Sequence, residues 1–206
     1  MVVDGTLVKA WASHKSFKPK DGSGDDKPNF KGGRRTNQTH ESTSDADAKL
    51  VRKGPGKEAM LCPLGHAPVD SVSGLVRACK VTQASGLGGD AEVVTAIDLA
   101  AEHMRKGQTL LADRGYDTKA FVSGVRALGV RAHPRARKSG SRLDKRTTQT
   151  RNYQEGIARR HIVEPVFGWI KGPGRIRQTK LRGTEKVGWE FHLYRLAYNL
   201  RRMALA

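Results

Sequence analysis

The sequence has few cysteines, few aromatic residues and no long apolar run. Two cysteines, Cys62 and Cys79, cannot build a disulfide framework, which excludes a disulfide-rich secreted module and favours a reducing cytosol. No apolar run approaches the ~20 residues that cross a bilayer, and the first residues lack the basic and apolar parts of a signal peptide. Only 6% of the residues are aromatic. A membrane protein is therefore excluded, and only a modest core is expected.

The most prominent feature of the composition is its positive charge. The chain has 38 Lys and Arg against 20 Asp and Glu, a formal net charge of +18. Between Arg135 and Arg182 there are 14 basic residues and three acidic ones. This excess favours a polyanionic partner, most often nucleic acid, although charge alone fits a merely basic protein as well.

The length of 206 residues fits one domain spanning 1–206. Residues 18–57 are rich in Gly, Lys, Asp, Asn, Thr and Pro and predict a long flexible, disordered insert. Residues 135–156 predict a second, basic loop. Both segments contain few large apolar side chains.

Outside these loops, apolar residues alternate between strand and helix spacing. The pattern predicts strands at 2–8, 59–69, 74–82, 108–112 and 130–133, and helices at 90–105, 118–128, a stretch through Trp169, and 185–203. A hairpin-rich start followed by strand–helix alternation predicts an α/β fold, a mixed sheet flanked by helices.

Three acids are placed at the ends or inside of these elements. Asp4 lies in the first strand, Asp113 ends the strand at 108–112, and Glu164 lies in a helical stretch. Converging carboxylates would form an oxygen-ligand site suited to Mg²⁺, and two ions ~4 Å apart support phosphoryl transfer. Taken singly, each acid also fits an ordinary role in a turn, a loop or a helix surface.

The segments around these acids carry a recognisable pattern. The first reads Asp-Gly-Thr-Leu-Val-Lys-Ala-Trp from Asp4, and the second reads Asp-Arg-Gly-Tyr-Asp from Asp113. Arg160, Glu164 and Lys171 have the spacing of the motif Tyr-x2-Arg-x3-Glu-x6-Lys, with Ile157 at the Tyr position. The chain thus resembles the DDE transposases of bacterial insertion sequences, particularly groups four and five.

The resemblance implies an RNase H-like fold and DNA transposition, in which element ends are cleaved and a 3′-hydroxyl is transferred to target DNA. It implies that Asp4, Asp113 and Glu164 are the catalytic metal ligands, with Mg²⁺ as cofactor and Mn²⁺ as a substitute. The implied DNA contacts, at the backbone or a base, are Arg160, Lys171, Lys15, His14, Arg114 and Trp169.

The implied partners are double-stranded DNA, at terminal inverted repeats and target sites, and further copies of the chain on that DNA. The implied location is the bacterial cytoplasm, at the nucleoid. Family members carry a helical segment before the first Asp, so a missing N-terminal segment is expected. Two other functions remain open: a non-catalytic DNA-binding remnant of a truncated transposase, and an RNase H-like nuclease.

The third motif also has a helical pattern. An apolar stripe is spaced at i, i+3, i+4 and i+7, formed by Val163, Val166, Phe167 and Ile170. Pro165 interrupts it, because an interior proline removes a helix hydrogen bond. The sequence therefore predicts a helix that starts near Glu164 or kinks there.

Overall fold

The computed structural model describes residues 1–22, 35–52, 54, 56–84 and 89–205. Eight strands are formed within these ranges. They are β1 (Val2–Leu7), β2 (Phe17–Pro19), β3 (His40–Ser42), β4 (Lys49–Arg52), β5 (Ala59–Val69), β6 (Lys80–Gln83), β7 (Thr109–Ala112) and β8 (Arg131–Pro134). Six of them form one sheet, while β2 and β3 pair separately.

Strand β1 lies inside the sheet, antiparallel to β5 on one side and parallel to β7 on the other. Strand β8 continues the sheet in parallel beyond β7. The 11-residue β5 also pairs antiparallel with β4 and β6. The sheet is thus mixed, with its antiparallel part early in the chain and its parallel part later, as the sequence predicts.

Six α-helices accompany the sheet. They are α1 (Asp90–His103), α2 (Lys119–Ala127), α3 (Lys145–Gln149), α4 (Arg151–Arg159), α5 (Glu164–Lys171) and α6 (Thr184–Ala204). In the ranges that the structure covers, none of these helices has the length and apolar character needed to cross a bilayer. The predicted helices at 90–105, 118–128 and 185–203 are confirmed with ends shifted by one or two residues.

The helices cover both faces of the sheet, because successive strand residues point to opposite sides. Val2 packs in a core with α5 and α6, whereas its neighbour Val3 packs in a second core with α1 and α2. The stripe predicted around Val163 is buried in the first core. The α/β class with helices on both faces is confirmed.

The prediction of a flexible insert over 18–57 is wrong for the described part of that range, which contains β3 and β4. Asn37 holds β4 with two hydrogen bonds: its Nδ2 donates to the Leu50 carbonyl at 2.9 Å, and its Oδ1 accepts the Leu50 N–H at 2.7 Å. Asp47 also accepts the Thr184 N–H at 2.8 Å. Hydrogen bonds of polar side chains therefore hold this segment in place, because it has few apolar side chains. The rest of the predicted insert, residues 23–34, 53 and 55, lies outside the described residues.

The predicted basic loop over 135–156 is also shorter than expected, since α3 and the start of α4 lie within it. Two N-caps explain the helices. The Asp144 side chain accepts the Arg146 N–H, and the Thr150 hydroxyl accepts the Tyr153 N–H. The Tyr153 ring is buried, which fixes α4 against the second core. Only residues 135–144 remain a loop.

Pro165 proves compatible with the helix that carries Glu164. Residues 160–163 form a 3₁₀ turn, and α5 begins at Glu164 with proline in its first turn. The missing N–H of a proline costs nothing there, because the first N–H groups of a helix have no intrahelical partner. Of the two expected geometries, the helix start at Glu164 is confirmed.

Candidate catalytic cleft

The parallel pair β1 and β7 brings the first two acids together. Val3 is paired with Ala112, so Asp4 and Asp113 are the next residues along two neighbouring parallel strands. The carboxyl ends of parallel strands share one edge of a sheet, where open α/β sheets bind ligands. Sequence positions more than a hundred residues apart thus become neighbours.

Arg160 joins the third acid to this pair. Its Nη1 lies 3.1 Å from Asp113 Oδ1, and its Nη2 lies 3.6 Å from Glu164 Oε1. The Arg160 side chain is 13% exposed, against 45% for Asp113 and 63% for Glu164. The guanidinium is therefore enclosed, while both carboxylates keep an open side toward solvent.

Asp4 differs from the other two acids because no ion pair reaches it in the part of the chain that the structure describes. It is partly buried, and its Oδ1 accepts only the Gly5 N–H at 2.8 Å. Burial raises the pKa of Asp4 to about 6, and the charge of Asp113 adds to the rise, whereas the Gly5 N–H and Arg160 oppose it. A carboxylate in this state gains from an added cation.

A cleft of about 910 Å³ opens beside β1. Asp4 and Glu164 line it together with four basic side chains, which are Lys9, Arg52, Lys171 and Arg177. A cleft lined by both acids and basic residues suits a phosphate-bearing substrate, whose phosphates the basic residues can bind.

Asp117 of the second motif and Tyr153 of α4 both hold the basic loop 135–144 by hydrogen bonds. The Asp117 carboxylate is fully buried and accepts the N–H of Arg137 at 2.8 Å and of Arg142 at 2.9 Å. Tyr153 adds a third anchor, because its hydroxyl accepts the Ala136 N–H at 2.9 Å. The basic loop 135–144 is therefore fixed next to Asp113.

One acid of the cleft was not predicted from the sequence. Glu92, in the first turn of α1, lines the cleft beside Asp4 and Gly5. Burial raises the pKa of Glu92, and its charge in turn raises the pKa of Asp4. No motif marks Glu92, since an acid in the first turn of a helix is usually explained by the helix dipole.

The predicted DNA-contact residues are distributed over several places. Lys171 lines the cleft, and Arg114 is exposed immediately after Asp113. His14 and Lys15 are exposed in a turn that does not line the cleft.

Two further residues of the third motif pack into the protein. The Trp169 ring packs edge-on against Tyr198 with centroids 5.8 Å apart, so the structure gives it a packing contact in place of the predicted base or sugar contact. Ile157, at the Tyr position of the motif, packs against the second core. Arg160 is likewise bound to acids where the sequence predicted a DNA contact.

The donor set fits a hard divalent ion in its chemistry. Such ions take carboxylate oxygens, and Asp4, Asp113 and Glu164 supply them at one end of the sheet. Within the described ranges, no three His, Cys, Asp or Glu side chains are gathered tightly enough to form a metal site. The guanidinium of Arg160 holds Asp113 and Glu164 in this arrangement.

The sheet is mixed, has helices on both faces, and carries Asp4 inside β1 and Asp113 directly after β7, a fold consistent with an RNase H-like DDE domain. Residues 1–200 match the family of the transposase DDE domain. The chain belongs to this family. No curated protein matches it.

Proposed function

We propose that the protein carries out DNA transposition, by cleaving DNA at transposon ends and transferring the resulting 3′-hydroxyl to target DNA. The observation that supports this most directly is the placement of the three acids: Asp4 and Asp113 follow paired residues of neighbouring strands, and Arg160 joins Asp113 to Glu164, which lines the same cleft as Asp4. Membership in the transposase DDE family gives the reaction class.

In this proposal Asp4, Asp113 and Glu164 hold Mg²⁺, for which Mn²⁺ substitutes. A bound divalent ion of this kind supplies charge stabilisation to a phosphoryl transfer and activates its nucleophile. Arg160 keeps Asp113 and Glu164 together and offsets part of their repulsion. Burial raises the pKa of Asp4 to about 6, and a cation bound beside its carboxylate would offset that cost of burial.

The DNA partner is proposed to be double-stranded, first at terminal inverted repeats and then at the target. Lys171 and the other cations of the cleft contact its phosphates, and the anchored loop 135–144 extends the basic surface beside Asp113. Arg114, exposed immediately after Asp113, is proposed to add a further phosphate contact. His14 and Lys15 add a more distant contact.

We also propose that copies of the chain assemble on DNA in the bacterial cytoplasm, at the nucleoid. Helix α6 supports assembly, because it exposes large apolar side chains at alternating spacings of four and three residues. They are Trp189, Leu193, Leu196, Leu200 and Met203. This spacing is typical of helices that pair with another helix. Light scattering should show a dimer that L196E and L200E convert to monomer.

The test of function is a cleavage assay with labelled DNA that carries candidate terminal repeats, with Mg²⁺, with Mn²⁺ and without either ion. We expect ion-dependent nicking by the unaltered chain. D4N, D113N and E164Q should each abolish it, because each removes a ligand of the ion, while DNA binding in a filter assay persists. E102Q is the matched control, because Glu102 is an exposed acid outside the cleft.

Nicking that survives all three substitutions would contradict the assignment of these acids. A folded chain that binds DNA but nicks with neither ion would favour the binding-only remnant. Nicking without joining of the 3′ end to a second DNA would favour a nuclease.

A further inference from the structure

A second cavity, of about 550 Å³, lies along β8, the strand at one edge of the sheet. It shares no lining residue with the cleft beside β1. Arg126 of α2 and Arg131 of β8 line it, and the described residues that line it include no Asp or Glu. Neither arginine has an ion pair in the part of the chain that the structure describes. Two unpaired cations without a carboxylate favour an anionic ligand.

His133 provides an independent observation in this cavity. Its side chain lines the cavity and is 5% exposed, and its buried Nδ1 has no hydrogen-bond partner within the described ranges. Burial lowers the pKa of His133, so the ring is neutral at pH 7 and carries one N–H. Because Nδ1 has no acceptor to donate to, the hydrogen belongs on Nε2. Buried polar side chains are nearly always paired, so this ring indicates a place for a ligand.

The backbone of β8 adds a donor. The N–H groups of Arg131 and Arg135 both donate to carbonyls on the β7 side. Successive N–H groups of a strand point in opposite directions, so the Ala132 N–H points away from β7. Among the described strands none pairs with β8 at that edge, and Ala132 lines the cavity. Backbone N–H groups of this kind are common phosphate contacts in proteins that bind DNA.

Further positive charge surrounds the cavity. Strand β8 leads directly into the basic loop 135–144, and α3, which begins after that loop, contributes Thr147 to the cavity. This surface has one exposed acid, Asp144, against six exposed basic side chains, which are Arg135, Arg137, Lys138, Arg142, Lys145 and Arg146. Charge that continues beyond the cavity favours an extended polyanion over an isolated phosphate ion.

We propose that this cavity binds a phosphate group of the DNA backbone, held by the guanidinium groups of Arg126 and Arg131 and by the N–H groups of Ala132 and His133. The inference rests on the proposed function, in which DNA is the substrate. Because the cavity lies outside the cleft, the contact positions the duplex and takes no part in the chemistry.

The test measures the affinity of the full chain for a fluorescein-labelled duplex, by anisotropy over a range of salt concentrations. We expect R126Q/R131Q to lower the logarithmic slope by about 0.9, the value for one phosphate contact, because both arginines hold the same phosphate. R126K/R131K keeps both charges and should keep the slope. R201Q is the matched control and should also keep it, because Arg201 is an exposed arginine of α6 that lines neither the cavity nor the cleft.

Nitrogen NMR of the His133 ring distinguishes DNA from free phosphate. We expect the ring signals to shift during titration with the duplex and to stay in place with inorganic phosphate at the same phosphate concentration. A shift with inorganic phosphate alone would assign the cavity to a free ion and overturn the DNA contact.

The outcomes separate this inference from the proposed function. An unchanged slope in R126Q/R131Q, with ion-dependent nicking by the unaltered chain intact, would overturn the inference and leave the proposed function standing. Absence of DNA binding by the unaltered chain would overturn both. If circular dichroism shows that R126Q/R131Q does not fold, R131Q decides: a folded R131Q with the affinity and slope of the unaltered chain would also overturn the inference.

Discussion

Asp113 and Asp117 lie four residues apart in one motif, and the regions around them differ sharply. Asp113 is 45% exposed, and its Oδ1 contacts the Arg160 guanidinium and accepts the Arg114 N–H at 3.3 Å. Asp117 is completely buried, and both of its oxygens accept backbone N–H groups of the basic loop. The comparison distinguishes an acid that is available for chemistry from an acid whose role is structural. The former keeps open coordination positions, and the latter has none left.

The largest expected effect on stability comes from substitution of Asp117. D117N replaces one accepting oxygen by a donor, so a buried N–H of the loop loses its partner. A hydrogen bond to a charged group contributes about 1.5–3 kcal/mol, so we expect the loss of this one bond to lower the free energy of unfolding by about 1.5–3 kcal/mol. Urea denaturation measures it. D113N is the control and should lose less than about 1 kcal/mol; equal losses would remove the distinction.

Asp4 should show the opposite sign, since burial disfavours its charge. Its pKa is about 6 in the folded chain and 3.8 as the ordinary value, so the folded state holds the proton more tightly between these values. The contribution of Asp4 to the free energy of unfolding is therefore present at low pH and is lost as the pH rises through about 6. At pH 7 in chelator, D4N should therefore be more stable by about 1–2 kcal/mol, a discounted value for a partly exposed group.

The stability gain of D4N should shrink as the pH falls from 7 through 6, because the folded unaltered chain then takes up a proton at Asp4 while the unfolded chain, with the ordinary value of 3.8, stays ionised. Urea denaturation at pH 7, 6 and 5 measures this trend. A gain that stayed constant with pH would mean that packing at β1, and not the charge of Asp4, is responsible.

Substitution of Tyr116 should have a smaller effect on stability than substitution of Asp117 or Asp4. Y116F removes a buried hydroxyl without a partner, and leaving such a group unpaired costs about 1–3 kcal/mol. We expect Y116F to be as stable as the unaltered chain or more stable by about 1 kcal/mol in thermal melts. Y153F is the matched control, because the Tyr153 hydroxyl makes two hydrogen bonds and its removal should destabilise. Destabilisation by Y116F would indicate a partner for its hydroxyl.

Arg160 is expected to have the smallest effect on DNA binding. Because its guanidinium engages Asp113 and Glu164, R160Q should leave the salt dependence of DNA affinity unchanged. K171A should lower the logarithmic slope by about 0.9, the value for one phosphate contact. Fluorescence anisotropy over a range of salt concentrations measures both. A reduced slope in R160Q would restore the backbone contact predicted from the sequence.

The sequence predicted the three motif acids and the strand–helix order because both depend on local signals. The α/β pattern also implies parallel strands, and the parallel pairing of β1 with β7 is what brings Asp4 close to Asp113. Glu92 carries no such signal, since its place in the cleft depends on how α1 packs over Gly5. The same holds for Arg160, whose charge alone does not reveal whether a carboxylate or a phosphate binds it.

The ordered part of the predicted insert was missed for a related reason. Composition reports how much apolar surface a segment can bury, but Asn37 fixes β4 through two hydrogen bonds that depend on a single side chain in a single register. Asp117 fixes the basic loop in the same way. Polar anchors of this kind become visible only when donor and acceptor are placed in space.

The pairing of β1 with β7 also has a consequence in time. During synthesis the strand that carries Asp4 is made more than a hundred residues before its parallel neighbour β7, and Glu164 is made later still. Contacts so distant along the chain form late in folding. The Gln178 side chain, which binds the Ala10 carbonyl, belongs to the same late group. A nascent or prematurely terminated chain that ends before Glu164 therefore cannot contain the assembled acids, however much of the sheet it has already formed.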